Sequence, residues 1–203
     1  MQITERDALL VIDVQNDFVS GSLAIAGADA VIEPINRLAQ QFAHVIVATD
    51  WHPAGHVSFA SRYPGRQHGE RIEAEYGEQM LCHDHCVQGT FGAELDARLE
   101  LTKAELILRK GYRKEVDSFG AFYENDQATT GLGSYLRTRG FERVFCTGLA
   151  RYGCVMQSAL GAARDGFATH LLRDASAGDF DVDANNARLA GAGVVWIDST
   201  ELT

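Results

Sequence analysis

Six short apolar segments rich in β-branched residues recur along this chain, and their spacing leaves few folds open. They are Ala8–Asp13 (ALLVID), Val45–Asp50 (VIVATD), Glu105–Lys110 (ELILRK), Arg143–Gly148 (RVFCTG), Ala168–Asp174 (ATHLLRD) and Gly193–Ile197 (GVVWI). Near-continuous apolar character over so short a length suits strands buried on both faces of a parallel sheet. Helical patterns lie between them. Ala30–Phe42 repeats apolar side chains at Val31, Ile35, Leu38 and Phe42. Leu132–Arg139 stops at Gly140, and Cys154–Asp165 carries a stripe of Val155, Leu160 and Ala163 before Gly166. This alternation predicts a three-layer α/β/α domain around a six-stranded, mostly parallel sheet. The 203 residues fit one such domain over 1–203.

Composition narrows the partners. With 46% hydrophobic and 23% charged residues the chain is neither disordered nor membrane-spanning, and no apolar run is long enough to cross a bilayer. The N-terminal MQITERDALLVIDVQNDF lacks a basic region and a small-residue cleavage site, so it reads as a first strand and the expected location is cytoplasmic. A net charge of −10 with no basic cluster repels phosphates and anionic lipids. The expected partner is therefore a small molecule, with no nucleic acid and no membrane. Four cysteines (Cys82, Cys86, Cys146, Cys154) in such a chain point to catalysis, metal binding or burial before disulfides.

Polar residues cluster where an open α/β sheet binds ligands, at the carboxyl ends of its strands. Asp13, Asp50 and Lys110 close the first three strands, and Cys154 follows the fourth by six residues at the predicted start of a helix. A helix N-terminus and a nearby Lys favour thiolate, which predicts a lowered Cys154 pKa. A carboxylate such as Asp13 can take the thiol proton and return it to a leaving amine. Backbone N–H groups of the turn 148–154 can face an oxyanion. Together these groups suffice for acyl transfer from an amide through a thioester. A free Cys is also a common core residue, the reading assigned to Cys146.

Residues 51–92 form a long insertion dense in His, Gly and polar side chains, a length that in compact domains usually signals function. Asp50-Trp51-His52-Pro53-Ala54-Gly55-His56 leads into it and Cys82-His83-Asp84-His85-Cys86 lies near its end. Imidazoles plus a carboxylate suit a divalent metal. A structural zinc on Cys82, His83, His85 and Cys86 is a competing reading, disfavoured because ligands so close in sequence rarely surround one ion. A shorter polar stretch, 111–130, follows the third strand.

At this level of detail the chain resembles the nicotinamidase/pyrazinamidase branch of the isochorismatase-like cysteine hydrolases. The resemblance rests on LLVIDVQNDFVSGSLAIAGAD (9–29), VATDWHPAGHVSFAS (47–61), HCVQGTFGAELD (85–96), ILRKGYRKEVDSFGAFYEN (107–125) and GLARYGCV (148–155). It implies an isochorismatase-like fold and a triad of Asp13, Lys110 and Cys154. It implies a cis peptide before Ala150, with the Ala150 and Cys154 N–H groups as oxyanion hole. One divalent ion (Zn²⁺, Fe²⁺ or Mn²⁺) is implied on Asp50, His52 and His85, with His56 added in some members. The ion would take the substrate's ring nitrogen, and Phe18 would stack on the ring. The implied activity is conversion of nicotinamide or a close carboxamide to the free acid and ammonia, a step of pyridine nucleotide salvage. Members often form homo-oligomers.

The departures fall in the substrate pocket. Relatives read WPDHC where this chain has Cys82-His83-Asp84-His85-Cys86, and Thr-Asp-aromatic where it has Arg151, Tyr152 and Gly153. Cys82, Arg151 and Tyr152 are therefore candidate substrate-binding residues beside Phe18. They keep open a different amide, acyclic or carboxylate-bearing. A catalytically idle thiol-bearing relative is the rival of another class. The default partner for Arg151 is a nearby acid such as Asp17. Trp51 and Phe59 read as packing for the metal loop, and Glu70, Glu73, Glu75 and Glu78 as a solvated face.

Overall fold

The computed structural model describes residues 1–203. Strand β1 (Asp7–Ile12) leads into a single helical turn α1 (Asn16–Val19), then helix α2 (Ile32–Gln41) and strand β2 (His44–Asp50). A hairpin follows, β3 (Arg71–Ala74) and β4 (Gly77–Met80), before strand β5 (Ala104–Lys110). Then come α3 (Leu132–Thr138), β6 (Arg143–Leu149), α4 (Met156–Arg164), β7 (Ala168–Ala177), α5 (Val182–Gly191) and β8 (Val195–Ile197). No helix is long and apolar enough to cross a membrane.

The main sheet has the order β5-β2-β1-β6-β7-β8 with every neighbouring pair parallel, so all six predicted strands are present. Its central strands are apolar throughout because both faces are covered. Leu10 and Ile12 of β1 face one core with Phe122, Leu136, Val155, Ala159 and Phe167, whereas Leu9 and Val11 face another with Ile35, Leu38, Phe42 and Phe145. The edge strand β5 departs from the expectation of burial on both faces. Its side chains alternate in exposure, and Ile107 is 58% exposed. A strand with no neighbour on one side has no second helix layer closing over it.

The chain winds outward from β1 in one direction through β2 to β5, and in the other from β6 to β8. The crevice between the carboxyl ends of β1 and β6 is thus the point where the winding reverses, the usual ligand position in such sheets. Gly148 makes it narrow: at φ +116° a Cβ there would lie 2.1 Å from the Ile12 carbonyl oxygen. A side chain would push the two strands apart just below the crevice.

The 51–92 insertion has structure that its composition concealed. The β3–β4 hairpin closes with a two-residue turn at Glu75-Tyr76, its acids at 73, 75 and 78 exposed and its Gln79 buried. Bridges from His52 to Val87 and from Phe59 to Cys82 fold the insertion back over the sheet edge.

Candidate active site and metal centre

Lys110, the last residue of β5, is fully buried and points into the crevice. Its Nζ lies 2.8 Å from Asp13 Oδ2, contacts Asp50 Oδ1, donates to the Ser118 carbonyl at 3.1 Å and stands 3.5 Å from Cys154 Sγ. Burial works against its charge, but Asp13 and Asp50 outweigh that and hold its pKa above the ordinary lysine value. Asp13 immediately follows β1 in a left-handed conformation (φ 54°), its N–H still bonded to Ala48 O of β2. Burial, then the neighbouring Asp50, pushes its carboxyl up to about 7, against the opposing pull of Lys110.

The Cys154 thiol differs from its sequence-based expectation. Burial pushes its pKa well above the ordinary thiol value; Lys110 opposes this, while Asp13 and Asp50 add to it. Burial thus favours the neutral thiol over the thiolate at Cys154, beside a carboxyl that is itself raised. Nor does Cys154 begin a regular helix. A wide turn, Arg151–Val155, precedes α4 and closes when Gly153 N and Val155 N both donate to Ala150 O, at 2.9 and 3.2 Å. The Leu149–Ala150 peptide is cis, as the resemblance implies. The Ala150 N–H makes no backbone hydrogen bond and is free to face a ligand. Ser158 anchors the far side, donating to Cys154 O at 2.7 Å and accepting from Ala121 N at 2.9 Å.

The two side chains after Ala150 turn away from this crevice. The Arg151 guanidinium pairs with Asp179 and donates to the carbonyls of Arg173 (2.9 Å) and Ser176. Its partner is thus Asp179 and not Asp17, and its two terminal nitrogens tie the 173–179 segment to the turn, while Nε is buried without a hydrogen-bond partner. Tyr152 is buried in the core with Trp196 and Phe180 edge-on, its hydroxyl 3.0 Å from Asn186 Oδ1. Successive side chains of this turn diverge, so adjacency to Cys154 in sequence does not bring these side chains to it.

Beside Asp50 stand two buried imidazoles, with His52 Nε2 3.5 Å and His85 Nε2 3.8 Å from Asp50 Oδ2. His52 Nδ1 donates to Gly111 O at 2.9 Å and His85 Nδ1 to His83 O at 2.7 Å. Each ring is thereby held in the tautomer that leaves Nε2 as a bare lone pair. Metal bonds of about 2.0–2.2 Å place neighbouring ligand atoms about 3–3.5 Å apart, so this donor set fits one divalent ion after slight contraction. Gly111 is part of the fit: at φ +64° a Cβ would meet the His52 ring at 2.4 Å. His56 stacks on His52 with ring centroids 4.2 Å apart, but Ser58 Oγ (2.8 Å) and Val116 O (3.3 Å) take its two nitrogens. Phe59 packs edge-on against all three imidazoles.

Phe18 is buried with its ring edge-on to His85, centroids 5.4 Å apart. Cys82 is buried in the bridge to Phe59, and burial followed by Asp117 and Asp50 pushes its thiol up to about 12. Cys86 and Cys146 are buried as well, with thiol pKa values raised chiefly by burial. The three thiols outside the crevice, Cys82, Cys86 and Cys146, are buried with raised pKa values and make a poor redox sensor. The structural-zinc alternative also fails, since Cys86 belongs to the second core while His85 faces Asp50.

Two further residues of the site, Gln15 (buried) and Asp17 (half-buried), carry no signal in sequence spacing. Gln15 accepts from Asp50 N and donates to Asp50 O and Ala93 O, each at 2.8 Å, so its carboxamide grips the Asp50 backbone like a strand neighbour. Asp17 accepts from Cys86 N at 2.7 Å, fixing the chain next to His85. Both lie in the DVQND run that follows β1, where polar residues read as ordinary loop.

The model of the isochorismatase domain matches residues 7–201. A nicotinamidase from Acinetobacter baylyi is 45% identical over 177 residues, covering 86% of this chain and 83% of that protein. Among solved structures, an Acinetobacter baumannii nicotinamidase/pyrazinamidase superposes with a TM-score of 0.95 at 43% identity, covering 98% of both chains. The pyrazinamidase of Pyrococcus horikoshii, solved in complex with zinc, superposes with a TM-score of 0.77 at 28% identity over 95% of this chain and 99% of its own. Sequence, topology and site agree, and the chain belongs to the isochorismatase family as a nicotinamidase/pyrazinamidase-like hydrolase of carboxamide C–N bonds.

Proposed function

We propose that this hydrolase converts nicotinamide, or a close aromatic carboxamide, to the free acid and ammonia through a thioester on Cys154, with one divalent metal bound. The observation that carries the reading is the fully buried ammonium of Lys110, within 2.8 Å of Asp13 Oδ2 and 3.5 Å of Cys154 Sγ. A neutral thiol needs a base. An adjacent carboxylate raised toward neutrality is well matched to take its proton and give it up again.

In this mechanism Asp13 takes the Sγ proton as Cys154 attacks the carboxamide carbon, and the C–S bond forms. The carbonyl oxygen becomes an oxyanion facing the N–H groups of Ala150 and Cys154. Collapse breaks the C–N bond, with the proton on Asp13 moving to the nitrogen so that ammonia leaves. A water then adds to the thioester as Asp13 takes one of its protons. The C–S bond breaks, the acid departs and the proton returns to sulfur. Lys110 keeps its charge throughout and balances whichever of Asp13 and Cys154 is anionic.

Asp50, His52 and His85 would hold the ion, of which zinc, iron and manganese are the candidates. When bound, the ion supplies a Lewis acid for the substrate's ring nitrogen. His56, with both nitrogens engaged, supports the ring of His52 and is not one of the proposed ligands. Phe18 stacks against the substrate ring, and Cys82 takes the place of the wall that relatives build from Trp. Arg151 and Tyr152 have no role here. With Arg151 spent on Asp179, the case for a carboxylate-bearing amide loses its cation. Steady-state ammonia release on nicotinamide and on a panel of acyclic amides tests the reading. The expected result is preference for the aromatic ring nitrogen and loss of rate on chelation. Equal rates on acyclic amides, or indifference to chelation, would overturn it.

A further inference from the structure

Asp117 lies in the loop after β5, only 3% exposed, and belongs to neither the proposed triad nor the proposed ligand set. Its carboxylate accepts from Gln79 Nε2 at 2.9 Å and from Ser118 N at 2.8 Å, both neutral donors. No lysine, arginine or histidine forms a salt bridge with it, although every other buried carboxylate of the site has a cationic neighbour. An ionised side chain so placed is costly unless a cation balances it. One of its oxygens lies within 4.8 Å of a ring nitrogen of His52 and one of His56, the two stacked imidazoles. The same residue precedes Ser118, whose carbonyl holds Lys110 Nζ.

The charges of the buried site complete the argument. Three carboxylates, Asp13, Asp50 and Asp117, stand against the single ammonium of Lys110. With Asp13 ionised and the thiol neutral, this leaves two negative charges in excess, the charge of one divalent cation. We propose that Asp117 is the outer counter-charge of the metal centre, acting across the His52–His56 pair to raise affinity for a divalent ion without ligating it. Asp117 is a positioning residue in this account. The proposal rests on the metal-dependent reading above and adds to it a residue for which the hairpin supplies the anchor: Gln79 of β4 holds the carboxylate, and Tyr76 OH accepts from Asp117 N at 3.3 Å. Outer-sphere partners of this kind typically alter metal affinity by about 10–100-fold.

The test is a titration of the chelator-stripped, full-length protein with Zn²⁺ and with Co²⁺ as a spectroscopic probe, alongside thermal unfolding of the metal-free form. Asp117→Asn, which keeps the shape and the bond from Ser118 N, is expected to bind about 10–100-fold more weakly. Its metal-free form is expected to unfold at or above the wild-type midpoint, because an uncompensated charge has been removed. Asp117→Glu is expected to recover much of the affinity. Unchanged affinity in Asp117→Asn, or a lowered metal-free midpoint with unchanged affinity, would overturn the proposal and mark Asp117 as structural. Asp50→Asn separates this from the reading beneath it: if that variant binds metal as tightly as wild type, the ligand set itself is wrong. Should Asp117→Asn fail to fold, Asp117→Ser takes its place with the same two outcomes.

Discussion

Lys110 and Asp50 form a buried ion pair, Nζ against Oδ1, that joins the two halves of the site. The same ammonium serves Asp13 at 2.8 Å, so one cation positions both the proposed proton carrier and a proposed metal ligand. Asp50 is accordingly held well below the carboxylate range: burial opposes its ionisation, but Lys110 and then His52 outweigh it. Lys110→Met leaves two neighbouring carboxylates buried without their counter-ion. Breaking such a pair costs about 3–5 kcal/mol, to be read as a lower urea midpoint together with lost turnover. Lys110→Arg is expected to fail also, because the planar guanidinium cannot occupy a fully buried slot shaped for a single ammonium.

Asp13, raised to about 7, sets the acid side of the pH profile. Below that value it is protonated and cannot take the thiol proton, so kcat/KM is expected to fall with a midpoint near 7. The groups facing it are Asp50, Lys110 and Cys154. Its effect on stability has the opposite direction. A carboxyl raised from 3.8 contributes stability that is fully present below about 4 and is lost as pH rises through about 7. Asp13→Asn removes that dependence. Its stability relative to wild type is expected to improve between pH 4 and about 7, measured by urea denaturation across that range, while turnover is lost.

Gln15 makes three buried hydrogen bonds, two of them to the backbone of Asp50. Gln15→Leu leaves those groups without partners, each costing about 1–3 kcal/mol. The larger effect is expected in retention of the metal, since nothing else fixes the Asp50 peptide from that side. Inductively coupled plasma analysis of the purified variant, with unfolding measured in parallel, checks both parts.

Arg151 and Tyr152 are expected to matter for stability and not for substrate. Tyr152→Phe loses the bond to Asn186 and about 1 kcal/mol. Arg151→Ala releases the 173–179 segment from the active-site turn. In both variants KM for nicotinamide is expected to stay close to wild type while the unfolding midpoint drops. A large rise in KM with unchanged stability would return these residues to the substrate pocket.

The parts of this molecule that were readable from sequence are those governed by periodicity. Runs such as ALLVID and VIVATD are apolar at every position because β1 and β2 are covered on both faces, and a sheet of that kind brings its strand ends together. Asp13, Asp50 and Lys110 follow from that alone. The β3–β4 hairpin was hidden because its two four-residue strands, RIEA and GEQM, are short and hold no apolar run. The direction of Arg151 and Tyr152 depends on a turn with a cis peptide, which spacing does not reveal. The raised Cys154 thiol depends on burial beside two carboxylates, and the expectation of a lowered value rests only on Lys110 and a helix end. Gln15 and Asp117 act through contacts 35 to 78 residues distant, respectively 38 residues distant, and are silent in any local pattern.

The most direct measurement of the central claim is ammonia and free-acid release from nicotinamide by metal-replete wild type and by Cys154→Ala, each verified as folded. The account predicts equal amounts of ammonia and acid from wild type and none above the uncatalysed rate from the variant. Turnover that survives in Cys154→Ala would contradict it.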